Sequence, residues 1–330
     1  MAKKIVSTVL QSRFDKYGIH FPSDWEITYL EAPYTDEEMI KAIGDKEYLL
    51  VNATHRVSRA VMEACPNLKL VQSEGVAFNM IDVDAAKELK IPVANNRGAN
   101  ADAVAEATIA LMLECFRTMA YYDKRLKAEP FLDVKNFALA QGVHELRGKH
   151  IGFVGMGAIA KEAAKRLQNW KVKMSYYDTF RPTPEQEKEL NIEYLPFDEL
   201  VKECDVISIH VPVFPETIGM IGEKQLKEMK KTAVIVNTAR GEIIDQAALA
   251  KALEAGEIAH AGLDVLSPEP VPADHPLLNM SPEGAARLTL TPHTGGMTDE
   301  AFITMLTVAV ENFERVERGE APVNMVYRLD

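Results

Sequence analysis

Four side chains that could do acid–base chemistry follow predicted strands in the second half of the sequence. Arg240 comes after the apolar run VIVNTA, and His293 comes after LTLTP, directly before the residues TGG. Asp264 ends a second strand in AGLDV, and Glu269 follows it in a loop between two prolines. In an open parallel sheet, ligands bind beyond the carboxyl ends of the strands. We therefore expect these residues to converge at one edge of a sheet.

An arginine, a carboxylate and a histidine at one site suit the reduction of a 2-oxo acid by hydride. When hydride reaches C2, charge develops on the carbonyl oxygen, and His293 as an imidazolium can donate a proton to it. Glu269 at the other ring nitrogen would fix the tautomer and stabilise the imidazolium. Arg240 would hold the substrate carboxylate with its planar fork. Each residue also has a structural alternative: a hydrogen-bonded histidine, a rigid surface turn or a loop salt bridge.

The stretch HIGFVGMGAIAKEAAKRL predicts a strand, a glycine turn and a helix. Gly155 allows the tight turn, and Gly157 lets the backbone approach a pyrophosphate. The third position of the G-x-G-x-x-G pattern is Ala160, which is small enough for the helix to pack on the strand. The N–H groups from Ala158 and Ile159 onward would bind the diphosphate at the helix N-terminus. The segment therefore predicts a dinucleotide site.

The acid that should accompany such a turn is Asp178, at the end of the next predicted strand, KMSYYD. A carboxylate there accepts hydrogen bonds from the ribose hydroxyls and repels a 2′-phosphate, which favours NAD over NADP. Its alternative is a solvated acid at a strand end. Arg181 lies close by and leaves some use of NADP open. With a nicotinamide cofactor bound, Asp264 would accept a hydrogen bond from its carboxamide.

Strand-like and helix-like segments alternate along the chain, which predicts an α/β protein with parallel sheets. A first series runs to about residue 99 and has five strand candidates, and a second series, from HIGFVG to RLTLTPH, has seven. Between them, residues 101–128 have apolar positions three and four apart and predict one long helix that joins the domains. The last helix, DEAFITMLTVAVENFERVERG, is expected to cross back and make the first domain discontinuous.

Composition excludes several classes of protein. The net charge of −12 and the pI of about 5.3 disfavour nucleic acid and anionic membranes as partners. Cys65, Cys115 and Cys204 are widely spaced, which fits neither a disulfide framework nor a metal site. The N-terminus does not read as a signal peptide, and the longest apolar run, ATIALMLECF, is shorter than a membrane span. We expect a soluble, cytoplasmic protein that binds no metal.

Several of these motifs together resemble the D-isomer-specific 2-hydroxyacid dehydrogenases. The similar blocks are HIGFVGMGAIA, IHVPVFPETIGMIG, VIVNTARGEIID, AGLDVLSPEP and TPHTGGMT, and ANADAVAEATIALML resembles the start of that family's interdomain helix. The resemblance implies a Rossmann-type doubly wound NAD-binding domain, residues 101–299, inserted into a smaller flavodoxin-like α/β substrate domain, residues 1–100 and 300–330. It also implies an active site between the domains, a small 2-oxo or 2-hydroxy acid as substrate, and a homodimer.

The resemblance assigns roles to the positions that match the family's motifs. Arg240, Glu269 and His293 match its catalytic residues. The loop in SEGVAFNMID implies that backbone N–H groups around Gly75 and Val76 bind the substrate carboxylate, together with Arg240 and His293. The positions expected to contact NAD are Gly155, Gly157, Ala158, Ile159, Asp178, His210, Val211, Pro212, Thr217, Thr238, Ala239, Arg240, Asp264, His293, Gly295 and Gly296.

The sequence departs from the family's pattern near the expected substrate site. Ala77, Asn79 and Met80 stand where the family often has glycine, aspartate and asparagine, and Ala107 stands where a histidine is common. Asn52 replaces the arginine of many phosphoglycerate-oxidising members, which makes that reaction a weaker alternative. These departures leave the natural acid undefined.

Two further alternatives stay open at this point. An NAD(H)-sensing interaction protein of the same fold would keep the three catalytic residues, and NADH binding without turnover would favour it. Formate or phosphite oxidation is the other. Formate enzymes of this superfamily carry an amide where Glu269 stands, and no additional basic residue suited to phosphite is evident.

Overall fold

The computed structural model describes residues 3–327. Within that range the chain forms two compact units, one made of the residues up to Asn100 with those from Met297 onward, the other of Ala101–Gly296. The strands are β1 Lys3–Ser7, β2 Trp25–Tyr29, β3 Tyr48–Val51, β4 Leu70–Ser73, β5 Val93–Ala94, β6 His150–Val154, β7 Lys173–Tyr177, β8 Glu193–Tyr194, β9 Val206–Ile209, β10 Val234–Asn237, β11 His260–Leu263 and β12 Leu288–Leu290. The helices are α1 Gln11–Tyr17, α2 Asp36–Ile43, α3 Arg59–Ala64, α4 Val83–Glu88, α5 Ala101–Arg117, α6 Met119–Leu126, α7 Phe131–Gln141, α8 Ala158–Leu167, α9 Pro184–Leu190, α10 Phe197–Glu203, α11 Glu223–Glu228, α12 Gln246–Ala255, α13 Pro282–Ala285 and α14 Asp299–Glu317.

The first unit is built on a parallel sheet in the order β2-β1-β3-β4-β5, which is the flavodoxin-like order. Because side chains alternate along a strand, Val6 and Leu49 pack on one face of the sheet while Ile5 and Leu50 pack on the other. Helix α14 packs on the second face through residues that include Phe313. The expectation of a discontinuous first domain is therefore confirmed.

The second unit is built on a parallel sheet of seven strands in the order β12-β11-β10-β9-β6-β7-β8. Taken from the other edge, its six strands β8-β7-β6-β9-β10-β11 follow the Rossmann order, and β12 is added beside β11. Both faces are covered, since Phe153 joins one apolar cluster and Val154 joins the other. The five strand candidates of the first series and the seven of the second all form strands. The predicted fold class is therefore confirmed.

The prediction of one long helix over residues 101–128 is wrong. The helix stops at Arg117, and a second helix begins at Met119. Between them Thr118 adopts a left-handed conformation, with φ of 44°. The carboxylate of Glu114 accepts hydrogen bonds from the N–H groups of Met119 (3.1 Å) and Ala120 (2.9 Å). A side chain of the first helix therefore caps the second, an interaction that apolar periodicity does not show.

Other expectations concern membranes, metals and thiols. Among residues 3–327, no helix combines the length and apolar character needed to cross a bilayer. Within the same residues, no group of three His, Cys, Asp or Glu side chains is placed to hold a metal ion. Cys65, Cys115 and Cys204 are all buried and carry free thiols.

Candidate active site

The glycine turn of the second unit fits a dinucleotide. Gly155 has a φ of +93°, and a Cβ there would lie 2.9 Å from the carbonyl of His210, so only glycine suits the position. Gly157 precedes the first residue of α8, and a Cβ on it would meet no atom within 4 Å. Ala160 is fully buried in the apolar cluster against the sheet. The turn thus leaves open space at the N-terminus of α8, where Ala158 and Ile159 begin the helix.

Asp178 is anchored beside this turn. Its Oδ2 accepts a hydrogen bond from the N–H of Met156 at 2.6 Å, and its Oδ1 accepts one from the N–H of Phe180 at 2.8 Å. A carboxylate has about four lone-pair sites, so two remain for further donors. The acid is therefore fixed by the turn that would hold the diphosphate, with capacity left for ribose hydroxyls.

The remaining positions expected to contact NAD follow the strands at the same edge of the sheet. Their placement follows from the parallel pairing of β9, β10, β11 and β12. They are His210, Val211 and Pro212 after β9, Thr238, Ala239 and Arg240 after β10, Asp264 after β11, and His293, Gly295 and Gly296 after β12.

His210 and Thr217 are held by local contacts. The Nε2 of His210 lies 2.8 Å from the Ser208 hydroxyl, and burial lowers the pKa of His210 to about 3. The imidazole is therefore neutral at physiological pH. The hydroxyl of Thr217 donates to the carbonyl of Pro212 at 2.7 Å and accepts from the N–H of Phe214 at 2.8 Å. This hydroxyl closes its own loop, so a cofactor contact through Thr217 stays a prediction.

His293 and Glu269 form a direct pair. The Nδ1 of His293 lies 2.7 Å from Oε2 of Glu269, and the two side chains are 45% and 39% exposed. Because Nδ1 faces the carboxylate, the proton on Nδ1 is fixed and Nε2 is left for a second partner. His293 has a φ of 56°, in the left-handed region that few residues other than glycine adopt. The histidine is thus held in an unusual backbone conformation with its ring open to solvent.

The loop that carries Glu269 is fixed two residues earlier, at Ser267. The side-chain amide of Gln246 donates to the Ser267 carbonyl at 3.0 Å and accepts from its N–H at 3.2 Å. His275 accepts from the N–H of Leu277 through Nδ1, so its Nε2 donates to the Ser267 carbonyl at 3.2 Å. These two side chains position Glu269 from outside the site, and sequence reasoning missed both.

Gly241 is a further residue that sequence reasoning missed. A Cβ at this position would lie 2.2 Å from the carbonyl carbon of Leu266, so no side chain fits. The backbone after Arg240 therefore passes directly against the start of the loop that carries Glu269. In the sequence, this close approach is indicated by the glycine that directly follows Arg240.

Asp264 organises the loop that carries His293. Its buried carboxylate accepts hydrogen bonds from the Thr291 hydroxyl (2.5 Å) and from the N–H groups of Thr294 (3.0 Å) and Gly295 (2.8 Å). Its carbonyl accepts from the N–H of His293 at 2.8 Å. The structure thus gives Asp264 a positioning role, while the predicted contact with a nicotinamide carboxamide stays a prediction.

Arg240 extends from the end of β10. Asn237 holds this segment, since its side-chain oxygen accepts from the N–H of Ala239 at 2.9 Å and its amide donates to the Arg240 carbonyl at 2.8 Å. The guanidinium donates to the Ala239 carbonyl at 2.7 Å. Just before it, the hydroxyl of Thr238 lies 2.8 Å from that of Thr108. The backbone of the segment is therefore fixed, and most donors of the guanidinium remain for a ligand.

The loop predicted to bind the substrate carboxylate lies in the first unit, after β4. Two carbonyl groups of this loop accept hydrogen bonds. The carbonyl of Gly75 accepts one from the N–H of Asn96 at 2.9 Å, and the carbonyl of Val76 accepts one from the side-chain amide of Asn95 at 2.7 Å. The N–H of Gly75 lies 3.3 Å from the Ser73 hydroxyl. That contact occupies one of the expected donors, so Val76 is the better candidate of the two.

Comparison with known proteins identifies the class of this protein. Residues 109–295 match the family model described as D-isomer specific 2-hydroxyacid dehydrogenase, NAD binding domain. The chain belongs to this family. It is an oxidoreductase whose NAD-binding Rossmann domain is inserted in a substrate domain, as the motifs implied.

The chain is similar in sequence or structure to the following three proteins. A glyoxylate reductase from Thermofilum pendens is 38% identical over 308 residues, which cover 93% of this chain and 87% of that protein. A hydroxypyruvate reductase from Blautia hydrogenotrophica is 35% identical and covers 91% of each chain. The holo form of Rhodotorula graminis D-mandelate dehydrogenase has a TM-score of 0.87 at 27% identity, over 100% of this chain and 99% of that one.

Proposed function

We propose that the protein is an NADH-dependent reductase of small 2-oxo acids, with glyoxylate and hydroxypyruvate as the first candidates. The observation that carries the proposal is the pair of His293 and Glu269, 2.7 Å apart, at the strand edge that also bears Arg240. The names of the relatives from Thermofilum pendens and Blautia hydrogenotrophica supply the substrate class.

The proposed mechanism assigns one task to each side chain. The cofactor, when held at the glycine turn, would supply the hydride for C2 of the substrate. His293 donates a proton from Nε2 to the carbonyl oxygen, and Glu269 at Nδ1 stabilises the imidazolium before transfer. Arg240 grips the carboxylate with two parallel N–H donors and orients the carbonyl.

The cofactor assignment rests on the glycine turn and its acid. Gly155 and Gly157 give the backbone its close approach, and the N-terminus of α8 is the proposed diphosphate site. Asp178 is proposed to accept hydrogen bonds from the adenosine ribose, which favours NADH over NADPH.

A direct test follows NADH oxidation with a panel of 2-oxo acids. The panel contains glyoxylate, hydroxypyruvate, pyruvate, and branched and aromatic oxo acids. We expect turnover that is highest with the two smallest polar acids. NADH binding without turnover on any member would contradict the proposal and favour the NAD(H)-sensing alternative.

We also propose that a second copy of this chain covers an apolar surface formed by α6 and α7. Helix α7 exposes Leu132 at 65% and Leu139 at 72%, and Met119 on α6 is 56% exposed. Leu132 and Leu139 are seven residues apart and share one face of α7, and apolar side chains exposed together in this way mark association surfaces in soluble proteins. A homodimer is the assembly implied by the sequence resemblance.

A further inference from the structure

The loop after Asp178 carries Arg181, and the guanidinium of Arg181 contacts Glu187 and Tyr194 and not Asp178. The Nη2 of Arg181 donates to Oε1 of Glu187 at 3.1 Å, and its guanidinium carbon lies 4.2 Å from the centre of the Tyr194 ring. The Tyr176 hydroxyl donates to the same oxygen of Glu187 and lies 3.5 Å from Nε of Arg181. We call these four residues the Arg181 cluster.

The partners of Arg181 are set by regular structure. Tyr176 lies in β7 and is fully buried, and Tyr194 lies in the paired strand β8. Glu187 projects from α9, whose first turn is fixed by a capping box between Thr183 and Gln186. The contacts from Tyr176 and then Arg181 lower the pKa of Glu187, so this carboxylate is charged at neutral pH. The acceptor for Arg181 is therefore in place before any cofactor binds.

A free arginine at this position would oppose the selectivity that Asp178 provides. Guanidinium groups bind phosphate through two parallel N–H donors, and a 2′-phosphate bound next to Asp178 needs such a cation to offset the repulsion. In the Arg181 cluster, stacking on Tyr194 and the bond to Glu187 occupy one face and part of the donor edge of the guanidinium. Arg181 is 55% exposed, so it is accessible but already paired.

We propose that Glu187 is a residue that determines cofactor specificity in this protein. By holding Arg181 in the cluster, it withholds from a 2′-phosphate the cation closest in sequence to Asp178. The preference for NADH then depends on two carboxylates. Asp178 repels the 2′-phosphate, and Glu187 holds Arg181, the cation that would otherwise offset this repulsion. The inference rests on the proposed use of NADH at the glycine turn.

The test compares NADH and NADPH binding by isothermal titration calorimetry. Glu187→Gln keeps the size of the side chain and an acceptor for Tyr176 but removes the charge that holds Arg181. We expect the Kd of NADPH to fall about five-fold or more, the effect of roughly one new ion pair, and the Kd of NADH to stay within about two-fold. Glu189→Gln makes the same charge change in the same helix and should leave both values within about two-fold of wild type.

A second variant shows whether Arg181 carries the gain. In the double variant Glu187→Gln with Arg181→Ala, the tighter NADPH binding should disappear. Two results would overturn the role of Glu187: an E187Q variant that behaves like E189Q, or a gain that persists without Arg181. Wild-type NADH binding in the same titrations tests the cofactor assignment separately, since its absence would contradict the proposed function itself.

Discussion

At the residue scale, His293 is positioned before any substrate arrives. Its N–H is bound by the Asp264 carbonyl at 2.8 Å, and its Nδ1 is bound by Glu269 at 2.7 Å. Both partners are themselves fixed, Asp264 by three donors and the loop of Glu269 through Ser267. For the proposed proton transfer, such prior positioning would lower the barrier, because little reorganisation would remain for the reaction. The left-handed backbone of His293 is maintained by these contacts.

A second feature at this scale is the buried acid that precedes the loop of Gly75. Glu74 is almost fully buried, and its carboxylate accepts from Arg13 at 2.6 Å and from the Asn52 amide at 2.8 Å. Burial raises the pKa of Glu74, although Arg13 and Asn52 oppose the shift. Arg13 is thus the main charge that compensates this acid.

We predict that Arg13→Met destabilises the protein by about 1–2 kcal/mol at neutral pH, because it leaves a buried carboxylate with one neutral partner. The figure is below that of a fully buried pair since Arg13 is partly exposed to solvent. Without Arg13 the pKa of Glu74 rises further, so lowering the pH protonates the acid and removes the uncompensated charge. The difference from wild type should therefore shrink between about pH 8 and pH 5.

Urea unfolding of both proteins across that pH range measures this effect. Arg59→Met is the matched control, since Arg59 pairs at 2.6 Å with Glu88 on the surface of the same unit. Its urea midpoint should stay close to that of wild type at every pH, because an exposed ion pair contributes little to stability. A penalty for R13M that is constant or grows as the pH falls would contradict the assignment.

At the element scale, the boundary between α5 and α6 depends on one acid. Glu114 supplies the acceptor for two N–H groups that the second helix cannot satisfy internally. We predict that Glu114→Ala lowers the free energy of unfolding by about 1–2 kcal/mol, the usual cost of a lost helix cap. Glu106→Ala, on the exposed face of α5, should change it by less than about 0.5 kcal/mol. Equal urea midpoints for the two variants would show that the cap contributes nothing.

The same boundary shows how far sequence predicts this fold. The strands were found because buried parallel strands are short apolar runs between turn signals, as β6 and β10 illustrate. The break at Thr118 was missed because it depends on a side chain four residues earlier that folds back onto the next helix. Apolar periodicity continues through the break and carries no trace of that contact.

The candidate site was predicted to a similar degree. Arg240, Glu269 and His293 were predicted from their chemistry and their places after strands, and their catalytic roles stay a prediction. Gln246 and His275 were missed because their role depends on reaching Ser267, which is a matter of tertiary contact and not of pattern. Asp264 was predicted as a cofactor contact, which stays a prediction, and its three local donors could not be predicted from the sequence.

At the scale of the whole molecule, the proposed homodimer is the main prediction. If a second copy covers α6 and α7, placing charges there must weaken association, because a buried unpaired carboxylate is costly. We predict that wild type elutes at the mass of two chains and that Leu132→Glu with Leu139→Glu elutes at the mass of one. Size-exclusion chromatography with light scattering measures both.

A control substitution separates this effect from a general loss of solubility. Leu89 is also exposed but lies at the end of α4 in the first unit. Leu89→Glu should leave the measured mass unchanged. A wild-type protein of one-chain mass at all concentrations, or a double variant that stays dimeric, would contradict the proposed surface.

The most direct test of the proposed function is single-turnover oxidation of bound NADH by glyoxylate in wild type and in His293→Asn. Asparagine tolerates the left-handed backbone of this position, so the fold is kept while the proton donor is lost. With both proteins saturated with NADH, we predict that the rate falls by about 10²–10⁴, the usual contribution of a general acid. A rate within a few-fold of wild type would contradict the role of His293 and the proposed mechanism with it.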